Sequence, residues 1–264
     1  MKSSIAFSAL LQCLLVLVIQ GNYDNAGLEQ LGCYRNRHCA LGGRPFPVHL
    51  KTFHDALHMN ESELEVKVIR PCAELAKKKG YLWFGIEYWG ECWSGEHAHS
   101  TYFKDGRSSH CCNGVGKDNT VFAYRIKEPM CDQYMTFDDE TRAQNYTNID
   151  GPFKTDNNGS TNHMFAGNLW YRFLGNTGTA IATTCVPPRH CDAILTGWMK
   201  DEHPRVTDGV VNRTVFFSDS ENGKNDCYNK KVRIQVRNCG GYYVYKLPEV
   251  PLNPARYCGN GRVG

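Results

Sequence analysis

The number and distribution of cysteines constrain this chain more than any other feature. Thirteen cysteines occur in 264 residues, and Cys13 lies in an apolar run near the amino terminus. The remaining even set predicts a fully disulfide-bonded framework in an oxidising compartment. Its members are Cys33, Cys39, Cys72, Cys92, Cys111, Cys112, Cys131, Cys185, Cys191, Cys227, Cys239 and Cys258. Half of them precede residue 130 and half follow it, which predicts two disulfide-stapled modules whose connectivity is open.

The amino-terminal segment has the pattern of a secretory signal peptide. Lys2 precedes the apolar run Ile5–Ile19, and small polar residues follow. We predict a signal peptide at residues 1–21 rather than a signal anchor, since a membrane span needs about 20 apolar residues. No second run of that length occurs, so we expect a secreted, extracellular protein without membrane insertion. The formal net charge of +3 is spread along the chain, and no dense basic block favours a nucleic-acid partner.

Four asparagines lie in N-x-S/T sequons, which predict N-glycosylation in a secreted chain. They are Asn60, Asn145, Asn158 and Asn212. Asn158 falls in a polar stretch, residues 150–162, which we expect to be a long surface loop.

The first module is predicted to be α+β with one main helix. Residues 71–80 begin with proline, carry lysines near their end and finish on Gly80, as helices do. A strand is predicted at Tyr81–Trp89, with Trp83, Glu87 and Trp89 on one face. Another is predicted at Val121–Ile126.

The second module is predicted to be mainly β. Strand candidates are Leu169–Leu174, Thr179–Thr184, Lys231–Arg237 and Cys239–Tyr245. Lys231–Arg237 alternates polar and β-branched residues, which indicates a strand with one solvated face. The fold class is therefore two small disulfide-rich modules, α+β overall.

The first module resembles a WSC-like module of secreted invertebrate proteins. The resemblance covers residues 32–127 and rests on GCY, the helix with Cys72, KKKGYLWFGIEYWGECWSG, YFKDGRSSHC and VFAYRI. It implies carbohydrate binding, and it places family cysteines at Cys33, Cys72, Cys92 and one of the adjacent pair Cys111-Cys112. Cys39 and the other member of that pair would then form an extra bridge. Ser94 stands where the family often has a further cysteine.

The second module resembles the eight- or ten-cysteine module of the uromodulin, pancreatic glycoprotein 2 and oncoprotein-induced transcript 3 family. The resemblance covers residues 131–260 and rests on WYRF, TCVPPRHC, a tryptophan followed by HP, DGVV, VRNCGGYYVYKL and ARYC. Four cysteines of the fuller family pattern are missing here. Their even number is consistent with the loss of whole bridges.

No sequence motif argues for catalysis, a metal or a cofactor. His97, His99 and His110 lie near Cys111 and Cys112, but oxidised cysteines do not bind zinc. The acidic residues at 138–140, with Asp150 and Asp156, lack the spacing of a calcium-binding loop. We therefore predict a solvated acidic loop rather than a calcium site. G-x-S-x-G and HExxH are absent, and the even cysteine count leaves no thiol nucleophile. We therefore expect no enzyme, no metal and no cofactor.

An aromatic and acidic cluster in the first module is the candidate glycan-binding site. Its candidate binding residues are Trp83, Glu87, Trp89, Glu91 and Trp93, and Tyr88 belongs to the same aromatic set. Sugar C–H faces stack on aromatic rings, while carboxylates bind sugar hydroxyls. The alternative, which we favour for Trp83 and Trp89, is packing over a disulfide in a module with a small core.

Two functions follow from these expectations. The first is non-catalytic recognition or adhesion, with extracellular glycans or glycoproteins as partners and the protein's own N-glycans as bait. The second is a structural role in an extracellular or mineralised, skeletal organic matrix, with matrix components as partners.

Overall fold

A computed structural model of the protein describes residues 27–37, 43–147, 151–157, 165, 169–221, 224–250 and 254–262. It divides the chain into two compact units, residues 1–128 and 129–264. The predicted signal peptide, Cys39 and Asn158 lie outside the described residues. Within the described ranges, no helix is both long enough and apolar enough to span a membrane.

Unit 1 is built on a five-stranded antiparallel sheet with the order β1-β7-β3-β4-β2. The strands are β1 (Leu28–Arg35), β2 (Val48–Thr52), β3 (Trp83–Glu87), β4 (Glu91–Ser94) and β7 (Thr120–Ile126), and β5 (Cys111–Cys112) pairs with β6 (Val115–Gly116). The sequence did not predict β1 and β2. In both, an irregularity in register interrupts the side-chain alternation that would mark a strand.

The main helix of unit 1 is longer than the sequence predicted. It runs through α1 (Glu61–Leu64), a π-helical segment (Glu65–Ile69) and α2 (Arg70–Lys78). Asn60 caps the start, because its side chain accepts a hydrogen bond from the Glu63 amide while the Glu63 carboxylate accepts from the Asn60 amide. A single 3₁₀ turn, Ala56–His58, precedes the cap.

The two faces of this sheet carry different cores. One face packs against the helix through Val68, Cys72 and Ala76 on the helix and Phe84 and Ile86 on β3. The disulfide Cys72–Cys92 joins α2 to β4 on this side. The opposite face packs against the short helix α3 (Ala98–Thr101) and the segment before β2.

The remaining cysteines of unit 1 are also oxidised where the structure describes them. Cys33 pairs with Cys111, which ties β1 to β5. Cys112 is disulfide-bonded as well. The pairing with Cys39 that the resemblance implies for one vicinal cysteine stays a prediction.

Unit 2 is built on a seven-stranded mixed sheet with the order β14-β10-β11-β12-β13-β9-β8. The outermost pairs, β10–β14 and β8–β9, are parallel, and the inner pairs are antiparallel. The elements are α4 (Pro129–Asp132), β8 (Met135–Phe137), β9 (Trp170–Phe173), β10 (Leu195–Met199), β11 (Val210–Glu221), β12 (Lys224–Asn238), β13 (Tyr243–Lys246) and β14 (Ala255–Tyr257), with 3₁₀ turns at Glu140–Arg142, Gly175–Thr177 and Val206–Asp208.

Three disulfides staple unit 2 around an aromatic core. The bridges are Cys131–Cys239, Cys185–Cys227 and Cys191–Cys258. Phe173 and Tyr245 pack edge to face within the core. Small modules bury limited apolar surface, so bridges worth about 2–4 kcal/mol each support the fold. The α+β, disulfide-rich class predicted from the sequence is confirmed, with one main helix.

Two local predictions for unit 2 were wrong. Thr179–Thr184 is not a strand but keeps one isolated bridge, between Ile181 and Gly259. The pairing does not extend because the Ala180 and Ile181 amides donate to the side chains of Asn260 and Tyr245. Asp156, expected in a solvated loop, is buried.

The carboxylate of Asp156 accepts two hydrogen bonds from Arg142, at 2.5 and 2.7 Å. The nearby Asp139 accepts from Lys154 and Arg256 at 3.0 and 2.9 Å. Both carboxylates are thus neutralised by cations. Burial alone would raise the pKa of Asp139, but hydrogen bonds from Thr141, Lys154 and Arg256 outweigh it and lower that pKa well below its usual value.

Candidate ligand-binding cleft

Strand geometry brings three of the five predicted glycan-binding residues to one place in unit 1. Glu87 at the end of β3 lies directly opposite Glu91 at the start of β4, and Gly85 lies opposite Trp93. Side chains opposite each other in an antiparallel pair share a face and alternate along each strand. Glu87, Glu91 and Trp93 therefore project together from the face opposite the main helix, and all three line one cleft.

The turn between β3 and β4 forms the rim of this cleft. The strand ends at Glu87, two residues before the predicted end, because Tyr88 and Trp89 have positive φ values of 37° and 68°. The Trp89 amide donates to the Gly116 carbonyl at 2.7 Å. This backbone turns the Tyr88 side chain out to solvent beside Glu87.

Loops from other parts of unit 1 complete the walls. Asn36 follows β1, and its backbone amide donates to the Asn119 carbonyl at 2.8 Å. Arg44 comes from the segment before β2, while Lys117 and Asn119 precede β7 and Thr120 is its first residue. With Tyr88 they enclose a volume of ≈ 380 Å³.

Arg44 links the acidic and aromatic parts of the cleft. Its guanidinium donates to Glu87 Oε2 at 2.5 Å and lies 3.6 Å from the centroid of the Trp93 ring. Trp93 in turn donates from Nε1 to Glu91 Oε2 at 3.0 Å. Burial raises the pKa of Glu87 to about 7, the Arg44 charge opposes that rise, and the Glu91 charge adds to it.

Several buried polar atoms of the cleft have no hydrogen-bond partner within the described part of the chain. They are Oδ1 and Nδ2 of Asn36, Nε of Arg44 and Oε1 of Glu87. The side-chain amide of Asn36 is close enough to lower the pKa of Glu87 slightly, but it does not reach hydrogen-bond geometry. Buried polar atoms are normally paired, so these atoms need partners that the described chain does not supply, and the cleft beside them is a candidate ligand site.

The other two predicted residues, Trp83 and Trp89, do not line the cleft. Trp83 lies on the same sheet face as Glu87 but four residues away, about 13 Å along the strand. Its ring packs against His99 and lies under Arg125. Trp89 is partly buried against the core on the helix side, with Lys117 over its ring.

Asn36, Arg44 and Lys117 were missed as site residues, and Tyr88 was noted in the aromatic set but not chosen as a binding residue. Their positions depend on chain segments far apart in sequence, so no local pattern identifies Asn36, Arg44 or Lys117. For Tyr88 the sequence pattern was misleading, because strict alternation along the strand assigns it to the buried face with Phe84 and Ile86.

The predicted sequons are exposed wherever the structure describes them. Asn60, Asn145 and Asn212 all lie at the surface. Asn60 Oδ1 is the helix-capping acceptor, whereas an N-glycan attaches to the side-chain nitrogen, so capping and glycosylation are compatible. Glycosylation at all four asparagines stays a prediction.

The histidines and cysteines that were considered as zinc ligands do not form a group of metal ligands among the described residues. Cys111 and Cys112 are in disulfides. His97 and His99 lie with ring centroids 6.4 Å apart, and burial lowers the pKa of His99. No metal-binding group of three or more histidine, cysteine, aspartate or glutamate side chains occurs among the described residues.

The sequence of unit 2 is similar to known extracellular modules. Its WYRF motif forms β9, and its cysteines join this sheet to the loops around it. Residues 171–259 match the family model of the uromodulin-like domain. The uromodulin-like part of the sequence-based prediction is thereby confirmed, whereas the WSC-like resemblance of the first module stays a prediction.

Individual relatives match the same half of the chain. Human pancreatic secretory granule membrane major glycoprotein GP2 is 36% identical over 119 residues, which are 44% of this chain and 21% of that protein. Rat uromodulin is 39% identical over 90 residues, which are 34% of this chain and 13% of that protein. The chain thus spans about a fifth or less of the length of these relatives.

The predicted compartment is confirmed. The described disulfides require an oxidising environment, and the family match is to uromodulin-like proteins. The protein is secreted and extracellular.

Proposed function

We propose that the protein is an N-glycosylated, non-catalytic recognition or adhesion protein that binds extracellular glycans, free or on glycoproteins, through the cleft of unit 1. The observation that carries this proposal is the group of unpartnered, buried polar atoms of Asn36, Arg44 and Glu87 beside aromatic rings. Convergent polar groups beside aromatic side chains are the elements that fix the orientation of a ligand in small-molecule sites.

The arrangement supports binding more than catalysis. Glu87 is tied to Arg44, and Glu91 accepts from the Trp93 indole. Both carboxylates are thus engaged in holding the walls of the cleft. A carboxylate that acts as a nucleophile or a base needs a free approach to its substrate.

The test is a glycan array probed with the full secreted chain and with the Asn36→Leu variant. The array carries neutral hexose, N-acetylhexosamine, fucose, uronic acid and sialic acid termini. The wild-type chain should capture at least one class, and Asn36→Leu should lose that capture with its disulfides and circular dichroism unchanged. Capture that survives in Asn36→Leu would place the binding elsewhere and reject the role of the cleft.

The structural-matrix function makes a different prediction. A matrix component would show no capture on the array and would be extracted from insoluble extracellular material only under denaturant. That pair of results would replace recognition by a structural role.

The bait hypothesis concerns the protein's own glycans and is tested separately. Enzymatic removal of the N-glycans should abolish capture of glycan-binding partners while leaving array binding by the cleft intact. Unchanged partner capture would reject the bait hypothesis alone.

A further inference from the structure

The unpartnered atoms of the cleft include both hydrogen-bond donors and acceptors, and this distinguishes between classes of polar ligand. Arg44 Nε and the Asn36 side-chain nitrogen donate hydrogen bonds, while the Asn36 side-chain oxygen and Glu87 Oε1 accept them. A carboxylate or phosphate only accepts, so it would leave both acceptors unpaired and add an anion beside Glu91. An ammonium group only donates and would leave both donors unpaired.

Hydroxyl groups match this set of atoms. A hydroxyl donates one hydrogen bond and accepts others, so two neighbouring hydroxyls can satisfy two donors and two acceptors together. Asn36 and Glu87 are only 1% and 2% exposed, so their polar atoms have lost nearly all contact with bulk solvent. The match holds for either protonation state of Glu87, because a hydroxyl can serve a carboxylate or a carboxylic acid.

Tyr88 supplies the aromatic surface that the tryptophans do not. The Trp93 ring has Arg44 over one face and the tilted ring of His49 packed against it, so both side chains compete with a sugar for this ring. Tyr88 is 61% exposed at the rim, and among the described residues no ring or cation lies over it.

The backbone under Tyr88 is held in an uncommon conformation. Positive φ is a genuine outlier for bulky residues, yet Tyr88 and Trp89 both have it. Such strain persists only where surrounding contacts enforce it, and binding sites are among the places where it clusters. Here the hydrogen bond to the Gly116 carbonyl and the packing of Trp89 enforce it.

We propose that the cleft binds one neutral sugar residue, whose C–H face stacks on Tyr88 and whose two neighbouring hydroxyls bond to Asn36, Arg44 and Glu87. This inference rests on the proposed function and adds to it the ligand class and the stacking residue. The volume of ≈ 380 Å³ is near the lower end of the range for ligand sites, about 300–1,000 Å³. It therefore suits a terminal sugar rather than a long chain segment.

The test measures the affinity of the full chain for maltotriose, lactose, mannotriose and chitotriose, with sialyllactose as the acidic probe. The variants are Tyr88→Gly, Tyr88→Phe and Phe103→Ala. Glycine adopts positive φ freely, so Tyr88→Gly removes the ring without straining the turn. Phe103→Ala is the matched control, since Phe103 is a 50% exposed aromatic residue of the same unit outside the cleft.

We expect the wild-type chain to bind one of the neutral probes. Tyr88→Gly should lose about tenfold in affinity, which is about 1.4 kcal/mol. Tyr88→Phe, which keeps the ring, and Phe103→Ala should keep wild-type affinity.

Three results would overturn the inference alone. They are undiminished affinity in Tyr88→Gly, equal losses in Tyr88→Gly and Tyr88→Phe, and binding of sialyllactose without binding of lactose or any other neutral probe. A wild-type chain that captures nothing on the array rejects the proposed function and this inference together.

Discussion

The buried carboxyl of Glu87 should make unit 1 less stable as the pH rises. Burial raises the pKa of Glu87 from 4.5 to about 7 in the folded chain, with Arg44 opposing. Between those values the folded chain keeps a proton that the unfolded chain has released. Stability falls with rising pH wherever the folded state binds more protons than the unfolded state. The contribution of the Glu87 proton to the free energy of unfolding is therefore complete below pH 4.5 and is lost as the pH rises through about 7. Above that pH it changes little.

The Glu87→Gln substitution removes this titration while keeping the size of the side chain. One pKa unit corresponds to 1.36 kcal/mol, so the difference between 4.5 and about 7 is worth about 3 kcal/mol. The glutamine stays neutral at every pH. The free energy of unfolding of the variant, relative to wild type, should therefore rise by about 3 kcal/mol between pH 4.5 and about pH 8.

The assay is urea unfolding of both full chains, with disulfides intact, across that pH range. The transition that the substitution shifts identifies unit 1, and titrations elsewhere cancel in the difference. Glu74→Gln, on the exposed side of α2, is the matched control and should give a flat difference. A flat difference for Glu87→Gln as well would refute the reasoning.

Two further predictions concern unit 2 and use the same urea assay. Asp156→Asn leaves the buried charge of Arg142 without its counter-ion and should cost about 3–5 kcal/mol of unfolding free energy. Asp139→Asn, at a side chain that is 37% exposed, should cost less. Equal losses in the two variants would contradict the importance of burial. Gly178→Ala would place a Cβ atom 2.2 Å from two atoms of a neighbouring loop at a φ of 99° and should cost more than about 3 kcal/mol. Gly175→Ala, with a φ of 59° and open space around it, should cost about 1 kcal/mol. A larger loss in Gly175→Ala than in Gly178→Ala would show that the loop beside Gly178 is not held in place.

Much of the architecture could be predicted from local patterns. Proline and lysines mark the carboxyl-terminal half of the main helix, and alternation marks β3 and β12. The start of that helix also has a local signal, since Asn60 and Glu63 form a capping box. Asn60 was interpreted only as a sequon, which hid its second role.

The failures come from contacts between distant segments. Asp156 lies in a polar stretch, and only the fold brings Arg142 to it and buries the pair. Tyr88 continues an alternating pattern, and only the Gly116 contact turns it outward. The same holds for the cleft, where periodicity groups Glu87, Glu91 and Trp93 but cannot supply Asn36 or Arg44.

The central claim is that the cleft of unit 1 is where this protein holds a glycan. The most direct measurement is hydrogen–deuterium exchange of the full chain with and without the neutral oligosaccharide that it binds. We predict slower exchange in the turn at residues 87–91 and in the loop at residues 117–120, with unit 2 unchanged. Protection confined to unit 2, or no change in either segment at saturating oligosaccharide, would contradict the claim.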